Sequence, residues 1–348
     1  MHILVISNYY GLINGASICT WELIKRWSSQ VERIDVVCSQ KWYYPEGLSE
    51  SNNVFVHPLT SFTPIQIRAK CKALVAKDTV IYGADDYGVF GKFKGVPYVL
   101  TYHGNWPQAL KISTAFFMKG LFHISIYVFN FLLADAVVCP NYFHISWISQ
   151  FTSIDKVRMI RNGIGLNSLN SSTFIAHPAI ISVGNMDERK GKLLSDIIDA
   201  LLEASERFQW HLYIAGKISY KPLIKLVDNK RVFSLGFISN VADYVKEADV
   251  FILASYMDLV SLAVTEAMAL SKPVICFDVG ALHEVVSSET GDIVPPFDVK
   301  RFAQSTLELL GDEEKRHEKG RKAKEAVKDF DWDKSASEYL NLFRELLS

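Results

Sequence analysis

The 348 residues carry 37 lysines and arginines against 38 aspartates and glutamates, a formal net charge of −1. That length exceeds one ordinary hydrophobic core and calls for two domains. The charge balance excludes a broad nucleic-acid surface, so nucleic acid is not expected as a partner. Cys19, Cys38, Cys71, Cys139 and Cys276 stand far apart in apolar runs, with none of the paired C-x-x-C spacing of a zinc or redox motif. They read as reduced, buried thiols of a cytoplasmic chain.

In chain order, MHILVISN enters a strand at once, with no basic n-region and no small-residue cleavage site, so the mature chain is expected to start there. NYYGLINGAS follows, in which Gly11 and Gly15 frame a strand-to-helix loop. RIDVVC, VFVHP, TVIYG, PYVLTYH, AVVCP and VRMIRNG are further short apolar runs separated by helical stretches. That alternation is the signature of a mostly parallel sheet covered on both faces, and it assigns residues 1–167 to a first domain. Within it, AFFMKGLFHISIYVFNFLLA (115–134) is strongly apolar but interrupted by Lys119, His123 and Asn130, and the run after His123 is too short to span a bilayer. It reads as an ordinary buried helix, with a helix lying on a membrane surface as the alternative.

Asn, Ser and Gly crowd the next segment, and 168–178 reads as a linker; its sequon at Asn170 has no consequence in a cytoplasmic chain. A second alternation, AIISVG, WHLYIAG, RVFSLGF, DVFILAS, KPVICFD and GDIVP, fills a second domain over 179–330. Charged helices close the chain; their charge run reads as a solvated face, and 331–348 is expected to return toward the first domain.

The stretch SYMDLVSLAVTEAMALSKPV sets Asp258 and Glu266 in an otherwise small and apolar segment. A helix is predicted from Leu262, with Ser261 at its start and Pro273 opening the next strand. Glu266 then shares a face with Leu262, Ala269 and Leu270, and a carboxylate on an apolar face needs a partner, whether or not that partner is protein. In open α/β sheets ligands bind beyond the carboxyl ends of the strands. Four groups meet that condition: 11–16, His103, 185–191 and 258–266.

VRMIRNGI, ISVGNMDERKG, LYIAG, FSLGF, GALHEVV and GDIVPPFD, in this order and spacing around the Asp258-to-Glu266 stretch, resemble the retaining glycosyltransferases of family 4. The resemblance is close from Lys156 to Phe343 and looser before it. It implies an α/β GT-B fold, two doubly wound Rossmann-like domains facing across a cleft, with the acceptor on the first domain and the nucleotide sugar on the second. By the same resemblance, Asp258 takes the position near the sugar hydroxyls, Glu266 that near the ribose, and Lys190 that of the diphosphate-binding lysine. Gly15 and Ala16 belong to the glycine-rich loop on the diphosphate, and His103 to the histidine near the reacting sugar. Arg189, and the backbone near Ser261 and Leu262 at a helix start, complete the donor set. Asn185 stands where the family usually has arginine, which removes one charge from the diphosphate clamp.

No metal or other cofactor is implied; DFDWD (329–333) sits between two terminal helices, where aspartates serve as N-caps rather than as an Asp-x-Asp metal site. The implied partners are a nucleotide-diphosphate sugar and a glycan or lipid-linked glycan, with peripheral membrane association on the inner face as an added expectation. The alternatives are a catalytically silent nucleotide-sugar-binding subunit and a nucleotide-sugar epimerase.

Overall fold

The computed structural model describes residues 1–348 except 12–13, 42–50, 105, 111–113, 167–172, 206–207 and 228–229, and it leaves the side chains of 40–41, 108–109 and 115–116 aside. The middle of the glycine loop, the sequon and the first half of the expected linker therefore lie outside the described residues. The chain divides into two units, Met1–Gly163 with Asp331–Ser348, and Ile164–Phe330.

The first unit runs β1 (His2–Tyr10), α1 (Gly15–Trp27), β2 (Arg33–Lys41), β3 (Val54–Pro58), α2 (Pro64–Leu74) and β4 (Thr79–Gly83). It continues with β5 (Tyr98–Thr101), a short α3 (Trp106–Ala109), α4 (Thr114–Leu133), β6 (Ala136–Cys139), a short α5 (Ile145–Ile148) and β7 (Val157–Met159). Its seven strands order as β3-β2-β1-β4-β5-β6-β7, all parallel. The second unit holds β8 (Ala179–Val183), α6 (Glu188–Ala204), β9 (His211–Ala215), α7 (Lys221–Leu226), β10 (Val232–Gly236) and α8 (Val241–Glu247). It ends with β11 (Val250–Leu253), α9 (Leu262–Ala269), β12 (Val274–Phe277), β13 (Gly291–Val294), α10 (Val299–Gly311) and α11 (Glu313–Ala326). Its six parallel strands order as β10-β9-β8-β11-β12-β13. A last helix, α12 (Trp332–Leu347), belongs to the first unit.

Each strand expected from the sequence is present, because strands buried on both faces must be short unbroken runs of Val, Ile, Leu and Phe. In each sheet the strand order reverses once, between β1 and β4 and between β8 and β11. Helices leave such a point in opposite directions, so the crevice at its carboxyl end is where an open α/β sheet receives a ligand. The five cysteines are buried thiols outside any disulfide.

The charge run of α12 lies on an exposed face (Asp333, Lys334, Arg344, Glu345), while the opposite face inserts Trp332, Tyr339 and Phe343 into the first unit, with Trp27 meeting Tyr339 and Phe343 edge-on at 5.7 and 5.3 Å. Trp27 Nε1 donates to the Ala336 carbonyl at 3.1 Å, and Gly163 lies so close under Trp332 that a Cβ there would be 2.2 Å from the Trp332 nitrogen. Within DFDWD, Asp331 caps α12 and Asp333 pairs with Arg26. One expectation needs correction: α4 is not an ordinary buried helix. It buries Tyr127, Asn130 and Phe131 but leaves Phe117, Met118, Phe122, Phe129, Leu132 and Leu133 at 42–64% exposure. Among the described residues no helix is long and apolar enough to cross a membrane.

Candidate active site

The second unit brings a lysine and an aspartate together at its reversal point. Gly184, just after β8, has φ of +134° and Gly216, just after β9, +131°, a region that glycine adopts freely. A Cβ on Gly216 would lie 2.2 Å from the Gly184 carbonyl oxygen, so the two strand ends approach in a way no other residue allows. The chain then enters α6. Asp187 caps it, one oxygen accepting the Arg189 N–H at 3.0 Å and the other the Arg189 Nε at 3.1 Å. Arg189 is thereby turned back onto its own cap.

The Arg189 carbonyl accepts the Tyr256 N–H at 3.2 Å, tying the loop after β11 to the first turn of α6. That tie brings Lys190 Nζ to 3.3 Å from Asp258 Oδ2, with the side chains 14% and 19% exposed. Asp258 Oδ1 also accepts the Leu259 N–H at 3.0 Å. A largely desolvated cation is thus held by a carboxylate where an anion would otherwise be the natural partner.

Helix α9 starts beside this pair in the chain, with Ser261 as its N-cap residue. The Ser261 side chain makes no capping bond; its carbonyl accepts from Val264 and Thr265, each at 3.1 Å. The Leu262 and Ala263 amides have no intrahelical acceptor, as at any helix start, and with the helix dipole they favour an anion. The core face of α9 carries Val264, Thr265, Ala267 and Met268. Glu266 is half-buried, as are Leu262, Ala269 and Leu270, so its face is a partly open flank rather than the apolar core face that the sequence suggested.

Asn185 is exposed and its Oδ1 accepts the Lys217 N–H at 3.3 Å. Lys217 is an exposed cation following β9 as Asn185 follows β8. Sequence reasoning passed over it, although its place after LYIAG, at a strand's carboxyl end, was a sufficient signal.

The first unit offers different chemistry. Gly11 has φ of +111°, which requires glycine. Asn14 then caps α1 in a reciprocal pair with Ser17, at 3.0 and 3.1 Å. A Cβ on Gly15 would meet only open space, so the backbone does not demand glycine there; Ala16, next in the helix, is half-buried. His103 follows β5. Its Nε2 is buried without a hydrogen-bond partner, and burial pulls the imidazole down to about 4. In the segment that follows the neighbouring strand β6, Asn141 is fully buried and His144 nearly so; His144 Nδ1 lies 3.2 Å from Asn141 Oδ1. At the reversal point itself, the Asp85 carboxylate accepts the Asn8 and Tyr87 amides, yet burial and the adjacent Asp86 push it up to about 7. Asp86 pairs with His123, whose ring stacks on Trp106 at 4.0 Å.

Residues 177–312 match the family model described as glycosyl transferases group 1. The chain is 29% identical over 175 residues to the N-acetyl-alpha-D-glucosaminyl L-malate synthase of Bacillus anthracis, covering 48% of this chain and 45% of that protein. It thus spans about half the length of that curated relative. The sucrose-phosphate synthase of Thermosynechococcus elongatus superposes with a TM-score of 0.85 at 20% identity, over 99% of this chain and 98% of that one. Anabaena HepE in complex with UDP-glucose does so with a TM-score of 0.78 at 17% identity, over 99% of this chain and all of that one (100%). Two parallel sheets of seven and six strands, each reversing once, are the GT-B architecture those structures share. The family match falls on the unit that holds Lys190, Asp258 and the start of α9, and over residues 177–312 this unit is similar to the group 1 glycosyl transferases.

Proposed function

We propose that this protein transfers a sugar from a nucleoside diphosphate sugar to an acceptor hydroxyl, with retention of anomeric configuration and without a metal ion. The observation that carries the reading is the Lys190–Asp258 pair at 3.3 Å, at the reversal point of the second unit. In this account the donor diphosphate takes Asp258's place on Lys190 and meets the Leu262 and Ala263 amides, while the released Asp258 accepts from the sugar hydroxyls and Glu266 from the ribose. The bond from the anomeric carbon to the diphosphate oxygen breaks. Negative charge grows on the diphosphate, where Lys190 and the helix start are preorganised to hold it. The acceptor hydroxyl adds to the same face of the sugar and its proton passes to the leaving phosphate oxygen. The structure of HepE is a complex with UDP-glucose, which supports a uridine nucleotide as the first donor to try.

A lipid-linked glycan as acceptor is supported by the exposed aromatic and aliphatic stripe of α4, which suits a bilayer interface. The test is calorimetry against a panel of nucleotide sugars, followed by product analysis with the donor that binds. Retained anomeric configuration in the product supports the reading. Binding without turnover, even with glycolipid extract present, would leave the silent-subunit alternative in its place.

A further inference from the structure

Asn141 is fully buried, and its Nδ2 has no hydrogen-bond partner. A buried amide left unpaired costs about 1 to 3 kcal/mol, so such an atom calls for an explanation. Its orientation is set from the other side: Oδ1 faces His144 Nδ1 at 3.2 Å and lies 4.0 Å from Cys139 Sγ, while the thiol donates to the Asn141 carbonyl at 2.9 Å. His144 is 2% exposed and burial pulls it down to about 4, so it is neutral at pH 7; with Nδ1 protonated it donates to Oδ1 and leaves Nδ2 as the unpaired donor.

A second orphan stands on the adjacent strand end. β5 and β6 run in register, Thr101 opposite Val138, and the Tyr102 N–H donates to the Val138 carbonyl at 2.9 Å. His103 lies two residues past the end of β5 and Asn141 two residues past the end of β6, and His103 Nε2 is also buried and unpaired. Exposed aromatic rings adjoin them: Tyr142 at 58% and Phe143 at 37%.

We infer that Asn141, held in orientation by His144, is a binding residue for a neutral, hydroxyl-bearing sugar ring of the acceptor, beside His103. This rests on the proposed function, in which the first unit carries the acceptor. Both imidazoles are neutral and the third group is an amide, so the set offers no cation to a phosphate or carboxylate. It offers fixed hydrogen bonds to hydroxyl oxygens, and aromatic faces for the C–H side of a sugar ring, as in sites where a few placed polar groups orient a ligand against apolar walls. Asn141 touches the ligand; His144 acts through Asn141 and is a positioning residue.

The experiment is saturation-transfer NMR of methyl glycosides of glucose, galactose, mannose and N-acetylglucosamine on the full chain, with UDP affinity measured alongside. The wild type is expected to show transfer to at least one glycoside. Asn141→Ala should weaken that glycoside by about tenfold, the effect of one lost hydrogen bond of about 1.4 kcal/mol. His144→Phe should do the same, and His144→Gln, whose amide again donates to Asn141, should restore most of the loss. UDP affinity should stay at the wild-type value in all three. Asn141→Ser is read the same way should Asn141→Ala fail to fold. Unchanged glycoside binding in the Asn141 variants, no recovery in His144→Gln, or a wild type that binds none of the four overturns the inference. Failure of the proposed function would show separately, as a wild type that neither binds nor turns over any nucleotide sugar.

Discussion

The carboxyl ends of the two sheets differ in how their polar groups are satisfied. In the second unit a lysine and an aspartate hold each other in the site, both partly exposed. In the first unit two polar atoms beyond adjacent strand ends, His103 Nε2 and Asn141 Nδ2, are buried and unpaired. A charged ligand must compete with an existing ion pair, and its gain comes from replacing one strong partner by another. A neutral ligand gains by completing hydrogen bonds that the fold leaves open. Under the proposed function, the contrast assigns the diphosphate to one sheet and an uncharged hydroxyl to the other without interference between the two chemistries.

The largest expected break in that contrast is Lys190→Ala. Loss of one preorganised cation from a developing diphosphate charge should lower kcat/KM by about a hundredfold or more, read by steady-state kinetics. Near-normal turnover would remove Lys190 from the charged pole. The neutral pole should answer to pH instead. His103 and His144 sit well below the ordinary value of 6.5, each at about 4 in the fold. The stability they contribute is therefore complete above pH 6.5 and is lost as pH falls toward 4. Each accounts for roughly 2 to 3 kcal/mol of that loss. Asp85, raised to about 7, acts in the opposite sense, so the informative quantity is a difference: denaturant melts of wild type and His144→Phe should converge as pH drops from 6.5 to 4. Melts that run parallel through that window would deny that His144 is held neutral.

A smaller effect is expected at Glu266. Glu266→Gln keeps the shape but loses charge assistance to the ribose, weakening free nucleoside diphosphate and whole donor alike by about 1 to 2 kcal/mol in calorimetry. Weakening of the sugar-bearing donor alone would move Glu266 to the sugar. The smallest effect is expected from EDTA, which should leave the rate unchanged because Lys190 and the α9 amides meet the phosphate charge. A rate abolished by EDTA and restored by manganese would show that the charged pole needs a metal after all.

Much of this arrangement was legible in the sequence, for identifiable reasons. The strands could be read because burial on both faces leaves little choice of residue type, and α9 because Ser261 and Pro273 bracket a run of good helix formers. The pairing of Lys190 with Asp258 could not be read, since it depends on one backbone bond from Tyr256 to Arg189 across 67 residues of sequence. The neutral pole was missed in part. His103 was found as a strand-end histidine, but Asn141 after Cys-Pro reads locally as a turn, and only burial shows its unpaired amide. The exposed side of α4 was misjudged because total hydrophobicity was read where the distribution around the helix decides.

The central claim is that the diphosphate takes Asp258's place on Lys190. It is tested most directly by titrating wild type, Lys190→Ala and Asp258→Asn with the nucleoside diphosphate that the wild type binds best. The account predicts at least tenfold weaker binding for Lys190→Ala, the effect of about 1.4 kcal/mol or more, and binding equal to or tighter than wild type for Asp258→Asn, which frees the lysine. Equal weakening in both variants, or weakening in Asp258→Asn alone, would contradict it.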